Sequence, residues 1–274
     1  MSYKTILVYV DQSRRSAERI KLAAEIAIAH DAHLIGVAVT GISRFIYPDG
    51  MVFVTSVIDT LRQRAQHSLD QFEETVKKMG VNSYERRVSE DDAQGALALQ
   101  ARYSDLVVVS QMDLSEPDAV DISDLPEYVM LNSSKPVLVV PYAGKFSDTG
   151  SNILVAWDGS MEATHAIANA LPMLKRAKKV TLAIFNQSQR FATHGEQPGA
   201  DIGLYLARHG VKIEIEEENT ELDVGNALLS LAADKGADLL VMGGYGHSRF
   251  REVLLGGVTS LILNTMTLPV LLSH

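Results

Sequence analysis

The run at 241–263, VMGGYGHSRFREVLLGGVTSLIL, carries five glycines, two arginines and a histidine between a strand-like start and an apolar helical end. Glycine weakens regular structure, so five in one run imply backbone conformations or close approaches that a Cβ would block. Gly243, Gly246 and Gly256 stand in the spacing G-x-x-G-x9-G, followed by Gly257, Val258, Thr259 and a helical pattern. A glycine loop ahead of a helix presents unpaired backbone N–H groups and the positive end of the helix dipole, which together bind phosphate. His247, Arg249 and Arg251 add charge-assisted donors, although alternate spacing lets the two arginines point apart, and Thr259 adds a hydroxyl near the helix start. Another strand ends in WDGS at 157–160, where Asp158 is suited to accept from a ribose hydroxyl or an adenine amine. Plainer uses stand beside these: a tight connection for the glycines, solvent for the basic residues, a helix N-cap for Asp158 or Ser160, and a core role for Trp157. The sequence has no G-x-x-x-x-G-K-[ST], no H-E-x-x-H and no serine in a nucleophile-elbow context, and its eight histidines do not cluster.

The elements that would position these residues occur twice. ILVYVDQS at Ile6 matches ILVAWDGS at Ile153, an offset of 147, while DLVVVSQ at Asp105 matches DLLVMGG at Asp238 and KPVLVVP at Lys135 matches LPVLLSH at Leu268, both at 133. The unit is therefore duplicated, with extra length in the first copy between its first and fourth strands, placed around 40–57. Composition puts a linker at 142–152 and the domains at 1–145 and 150–274. In the second copy, near-continuous apolar strands at 153–157, 180–185, 211–216, 239–243 and 270–272 alternate with helical patterns at 161–175, 201–209, 224–235 and 253–264. Pro172 is expected to kink or stop the first of these helices. Apolar strands separated by helices imply a parallel sheet covered on both faces. The fold class is α/β: two tandem doubly wound, Rossmann-like domains of five parallel strands in the order 3-2-1-4-5, with a crevice beyond the C-terminal ends of strands one and four. Asp158 and the glycine loop fall on opposite walls of that crevice.

Composition narrows the partners. A chain of 274 residues, 46% hydrophobic and 22% charged, has the make-up of a soluble globular protein, and no apolar run or leader pattern asks for a membrane or export, so a cytoplasmic location is expected. The absence of cysteine excludes thiolate chemistry and suits a reducing compartment. A formal net charge of −9 opposes nucleic acid and anionic membrane surfaces, which reward clustered Lys and Arg.

The doubled strand opening, the G-x-x-G-x9-G loop and the closing PVLL strand resemble the universal stress protein family in its tandem form, across essentially the whole chain. The resemblance implies an adenine nucleotide α-hydrolase-like sandwich and an adenine nucleotide, ATP or another, with or without magnesium. By position, the implied binding residues are Asp158, Phe185 or its neighbour, Gly243, Gly246 and Gly256, with Met242, His247, Arg249, Val258 and Thr259 about the same loop. Gly257 departs from the Ser or Thr that the family carries there, which removes one phosphate-facing hydroxyl. The family's habit of pairing last strands further implies an intramolecular pseudo-dimer through 137–140 and 270–272, and leaves a homodimer open.

In the first copy Gly243, Gly246, Gly256 and Gly257 correspond to Ser110, Asp113, Ser123 and Asp124, and the replacement loop adds Glu116, Asp118, Asp121 and Glu127 without a Lys or Arg. Carboxylates repel phosphate. The sequence thus points to a stress-response protein that binds a nucleotide in its C-terminal domain, with the N-terminal domain as scaffold or surface for a protein partner. No catalytic residue and no metal ligand set is named, though the acidic loop leaves a cation site open. Two rivals stand: a slow ATPase or related nucleotide-processing enzyme, and an interaction module for a protein or apolar ligand, which the apolar segment containing Phe45, Tyr47 and Phe53 would suit.

Overall fold

The computed structural model describes residues 2–45, 55–113, 115–116, 124–186, 199–246 and 257–274. The chain forms two compact units that divide at Val137. The first half runs β1 (Thr5–Tyr9), α1 (Ser16–His30), β2 (His33–Val39), a 3-10 turn (Ile42–Phe45), α2 (Thr55–Met79), β3 (Tyr84–Ser89), α3 (Ala93–Ala101), β4 (Leu106–Ser110), α4 (Leu125–Ser133) and β5 (Val137–Val140). The second runs β6 (Asn152–Ala156), α5 (Met161–Leu174), β7 (Lys179–Phe185), α6 (Ala200–Arg208), β8 (Glu214–Glu218), α7 (Val224–Lys235), β9 (Leu239–Gly243), α8 (Val258–Thr265) and β10 (Val270–Ser273).

Each half has its strands in the order 3-2-1-4-5, β3-β2-β1-β4-β5 and β8-β7-β6-β9-β10, with the registered pairs parallel. The central strands are apolar on both faces because helices cover both: Ile6, Leu7, Val8, Leu106, Val107, Ile153, Leu154, Leu239 and Leu240 are all fully buried. Edge strands β3 and β8 read YERRVS and EIEEE, polar where one side meets water.

One aspartate in each copy clamps strands one and four at their starts. Asp105 Oδ2 accepts from the N–H of Lys4 at 2.7 Å and of Thr5 at 3.0 Å. The Asp238 carboxylate accepts from the N–H of Gly150, Ser151 and Asn152 at 2.8, 3.1 and 2.8 Å. Burial raises the Asp238 carboxyl above its ordinary range and outweighs those three bonds, which pull the other way. The clamp aligns the far ends of the two strands, where the chain order reverses and a crevice opens.

The helix read from the sequence at 58–78 is α2, with 25 residues against 9 in its counterpart α6. Ala65, Leu69, Phe72 and Val76 of α2 are buried at alternating spacings of four and three, one face of an α-helix turned to the core. The apolar segment at 46–54 lies outside the described residues. Pro172 neither stops α5 nor shortens it by more than a residue; the helix continues to Leu174, and the lost N–H falls in its last turn, where little remains to be disrupted. Finally, the strand expected at 211–216 is Glu214–Glu218.

Candidate functional site

The second copy holds a cavity of about 510 Å³ at the C-terminal ends of β6 and β9. Its apolar lining comes from Trp157, Phe185, Val224, Leu228 and Met242, and its polar lining from Asp158, Ser160, Glu162, Asn186 and Thr259, with the backbone of Gly243, Tyr245 and Gly246. Val224 and Leu228 stand one turn apart on the face that α7 turns inward, and Asp223 caps that helix by accepting from Gly225 N–H at 2.8 Å. Among the described lining residues there is no Lys, Arg or His, so the fixed charges there are carboxylates.

The WDGS turn divides its labour. Ser160 is the N-cap of α5, its Oγ accepting from Ala163 N–H at 3.1 Å. Asp158 Oδ1 accepts from Ser160 N–H at 3.0 Å, which holds the turn around left-handed Gly159 (φ 75°) and leaves the exposed carboxylate on the crevice wall. The cap and the candidate nucleoside-end acceptor are therefore different residues.

Across the crevice, the glycines are glycine for different reasons. A Cβ on Gly243 would lie 2.6 Å from Ala163 N and 2.6 Å from Glu162 C, so this position lets β9 approach the first turn of α5. Gly243 is thus required by packing, before any ligand. A Cβ on Gly246 would meet only the Glu162 carboxyl among the described residues, at an ordinary 3.6 Å, and its φ is not left-handed. The described protein does not need glycine there. Between them Tyr245 adopts φ 52°, sparsely populated for a bulky residue, with its N–H donating to Thr259 Oγ1 at 3.2 Å. Thr259, expected to point a hydroxyl at phosphate, spends its acceptor side on this loop and keeps its proton to donate. Gly257 begins α8 without a side-chain cap, followed by Val258 at the crevice edge. His247, Arg249, Arg251 and Gly256 lie outside the described residues.

Sequence reading placed Asp158, Phe185, Met242, Gly243, Gly246, Gly257, Val258 and Thr259 here; all but Gly257 line one cavity. It missed Glu162, which is 6% exposed and whose side chain runs along the glycine turn. The only available signal was its place two residues after Ser160.

In the first copy one buried side chain bridges the corresponding walls. Arg19, 1% exposed, donates from Nε to the Tyr9 carbonyl at 2.7 Å, from Nη1 to Ser110 Oγ at 2.8 Å and from Nη2 to Asp11 Oδ1 at 2.7 Å. Its guanidinium also lies over the Tyr9 ring, 5.1 Å from the centroid. Asp11 and Ser110 are the counterparts of Asp158 and Gly243, so one side chain spans the two walls. Ala166 stands in Arg19's place in the second copy. The acidic loop of the first copy is answered as well: Glu116 Oε1 accepts from Arg14 N–H at 2.9 Å, and Asp124 Oδ1 from Gln94 Nε2 at 2.6 Å. Bonds from Ser115 hold the Asp113 carboxyl below its ordinary range. The donors to Glu116 and Asp124 are a backbone amide and a neutral side-chain amide, and the Arg14 guanidinium reaches Glu116 only from an exposed position, Nε to Oε1 3.9 Å. Asp118, Asp121 and Ser123 lie outside the described residues, and among the described residues no group of three or more His, Asp or Glu is placed to hold a metal ion.

A doubly wound α/β domain with a crevice at its switch point, built twice in one chain, defines the class. The universal stress protein family model matches residues 2–141 and 151–274, and the chain belongs to that family in its tandem form. A universal stress protein of Mycolicibacterium smegmatis is 23% identical over 97% of this chain and 95% of its own. The universal stress protein Slr1230 of Synechocystis is 31% identical over 53% of this chain, and the match spans about half of that relative's length, 49%. A solved universal stress protein from Archaeoglobus fulgidus shares the fold at a TM-score of 0.76, with 14% identity, covering 98% of this chain and 96% of its own. Solved universal stress proteins also include one in complex with cAMP and an Archaeoglobus fulgidus one in complex with dAMP, 24% and 18% identical over 51% and 52% of this chain, each matched over 98% of its own, with TM-scores of 0.33 and 0.36. No helix among the described residues is long and apolar enough to cross a membrane.

Proposed function

We propose that the C-terminal unit binds one adenine nucleotide in a stress-response role, and that the N-terminal unit is a scaffold or partner surface that binds none. One observation carries the reading: a crevice of about 510 Å³ joins an apolar slot to a turn whose Gly246 is not required by the described protein. A base stacks in the slot between Phe185, Val224 and Met242, the ribose meets Asp158, and phosphate approaches Gly246 and the start of α8. The asymmetry rests on two features of the first copy, Arg19, which bridges the matching walls, and the acidic residues that replace the glycine loop. The activity is binding; phosphate release under saturating nucleotide and magnesium separates it from slow hydrolysis.

Native mass spectrometry of the purified chain is expected to show one retained adenine nucleotide. Two per chain would overturn the asymmetry, and an empty protein that takes up no adenine compound when titrated would overturn the site. Asp158→Ala is expected to weaken adenosine, AMP and ATP by similar factors, about tenfold for loss of a hydrogen bond to a charged acceptor. A loss confined to ATP in calorimetry would assign Asp158 to the phosphate end instead.

A further inference from the structure

We infer that His274 is a positioning residue for the phosphate end of this crevice, pinning the turn that leads to Gly246 in the shape that receives phosphate. The inference rests on the adenine reading above and concerns the same site. β10 ends at Ser273, in register with Gly243, and the two residues at its end tie the turn down. Gly244 N–H donates to the Ser273 carbonyl at 2.8 Å. His274 Nδ1 lies 3.0 Å from the Gly244 carbonyl, and since a carbonyl only accepts, the ring donates from a protonated Nδ1. That carbonyl shares one peptide unit with the N–H of Tyr245, which donates to Thr259 Oγ1 at 3.2 Å. The peptide between Gly244 and Tyr245 is therefore held at both polar ends, by His274 at its C=O and by α8 at its N–H. Tyr245 beside it has φ 52°, a conformation that persists in a bulky residue only where its surroundings over-determine it.

The end of β10 is braced in turn from α5. His165 Nδ1 donates to the His274 carbonyl at 3.2 Å, and Asn169 Nδ2, one helical turn on, donates to Ser273 Oγ at 3.2 Å. The helix that starts at the WDGS turn on one wall thus supports the glycine turn on the other. At the offset of 133, His274 and Gly244 correspond to Pro141 and Gln111 in the first copy, and a proline side chain has no donor. The tether accompanies the glycine turn and does not belong to the repeat as such. A turn ordered in advance need not be ordered when the ligand arrives, so the benefit falls on ligands whose phosphate meets the turn. Adenosine, held by the apolar slot and Asp158, gains little from it.

The test measures adenosine, AMP and ATP by calorimetry on the wild-type chain and on His274→Ala, His274→Asn and His274→Gln, with amide hydrogen exchange at Tyr245 followed in the ligand-free proteins. Asn carries its amide nitrogen on Cγ, where histidine carries Nδ1, and so keeps the donor in place; Gln carries it one bond further out. The expected result is that His274→Ala weakens AMP and ATP about fivefold each, leaves adenosine within about twofold and speeds exchange at Tyr245 about fivefold. His274→Asn should return all of these to within about twofold of wild type. His274→Gln should behave as His274→Ala does, and covers the case in which the smaller residue disturbs the end of the strand. Equal changes for all three ligands, no change, or a loss that Asn does not restore, with adenosine still bound, would overturn the role of His274 and leave the nucleotide site standing. Failure of all three ligands to bind the wild-type chain would overturn the adenine reading, and this inference with it.

Discussion

Arg19→Ala is expected to lower the stability of the N-terminal unit by about 2–3 kcal/mol, somewhat below the usual cost of breaking a fully buried ion pair. The discount follows from Asp11, whose side chain is 17% exposed against 2% for Arg19, so water recovers part of what the carboxylate loses. The Tyr9 carbonyl and Ser110 Oγ lose their 2.7 and 2.8 Å donors, and the space held by the guanidinium empties. Urea unfolding followed by a probe in the N-terminal half reads the effect; a shift below about 0.5 kcal/mol would mean that the interaction is not a structural one. Arg19→Lys retains the charge but not the fork that reaches three acceptors, and should recover less than half of the loss. Nucleotide stoichiometry should stay at one per chain in Arg19→Ala, because emptying the crevice leaves Asp113, Glu116 and Asp124 on its loop wall.

Gly246→Asp is expected to abolish nucleotide binding, with a loss of about a hundredfold or more in affinity, while the fold persists. The fold should tolerate it because, among the described residues, the new Cβ meets only the Glu162 carboxyl, with Oε2 at 3.6 Å, and the backbone there is not left-handed. Binding should not, because a second carboxylate beside Glu162 combines bulk with a repulsion of about 4 kcal/mol per unit charge pair at 4 Å in a partly screened crevice. Gly246→Ala separates the two effects, adding a Cβ without charge and giving a smaller loss. Calorimetry for binding and a thermal melt for the fold decide the matter: unchanged affinity in a folded Gly246→Asp protein would show that the turn does not face phosphate. Gly243 offers no such clean test, since any Cβ there strikes the backbone of Glu162 and Ala163 and perturbs α5 first.

The duplication, the strand order and the position of the crevice were legible from the chain alone. Offsets of 147 and 133 locate the repeat. Strands buried on both faces leave an unbroken apolar run, and helices between them leave a period of 3.6, so these elements write their environment into local sequence. The order 3-2-1-4-5 and the switch point then follow for a doubly wound fold. For the same reason Phe185, Met242 and Gly243 were placed at strand ends that do face the cavity.

What only the tertiary structure decided is how side chains cross the space between those ends. Arg19 reads as an ordinary helix residue in ERIKLAAE, yet it closes one crevice because Tyr9, Asp11 and Ser110 converge within reach of a single guanidinium. Glu162 reads as a favourable first-turn acid, yet Gly243 draws its backbone against β9 and carries its carboxyl beside Gly246 in the other. Local pattern fixes which face of an element is apolar, but the occupancy of a crevice depends on the distance between residues some ninety positions apart, as Arg19 and Ser110 are, and that distance exists only once the sheet has brought β1 and β4 side by side.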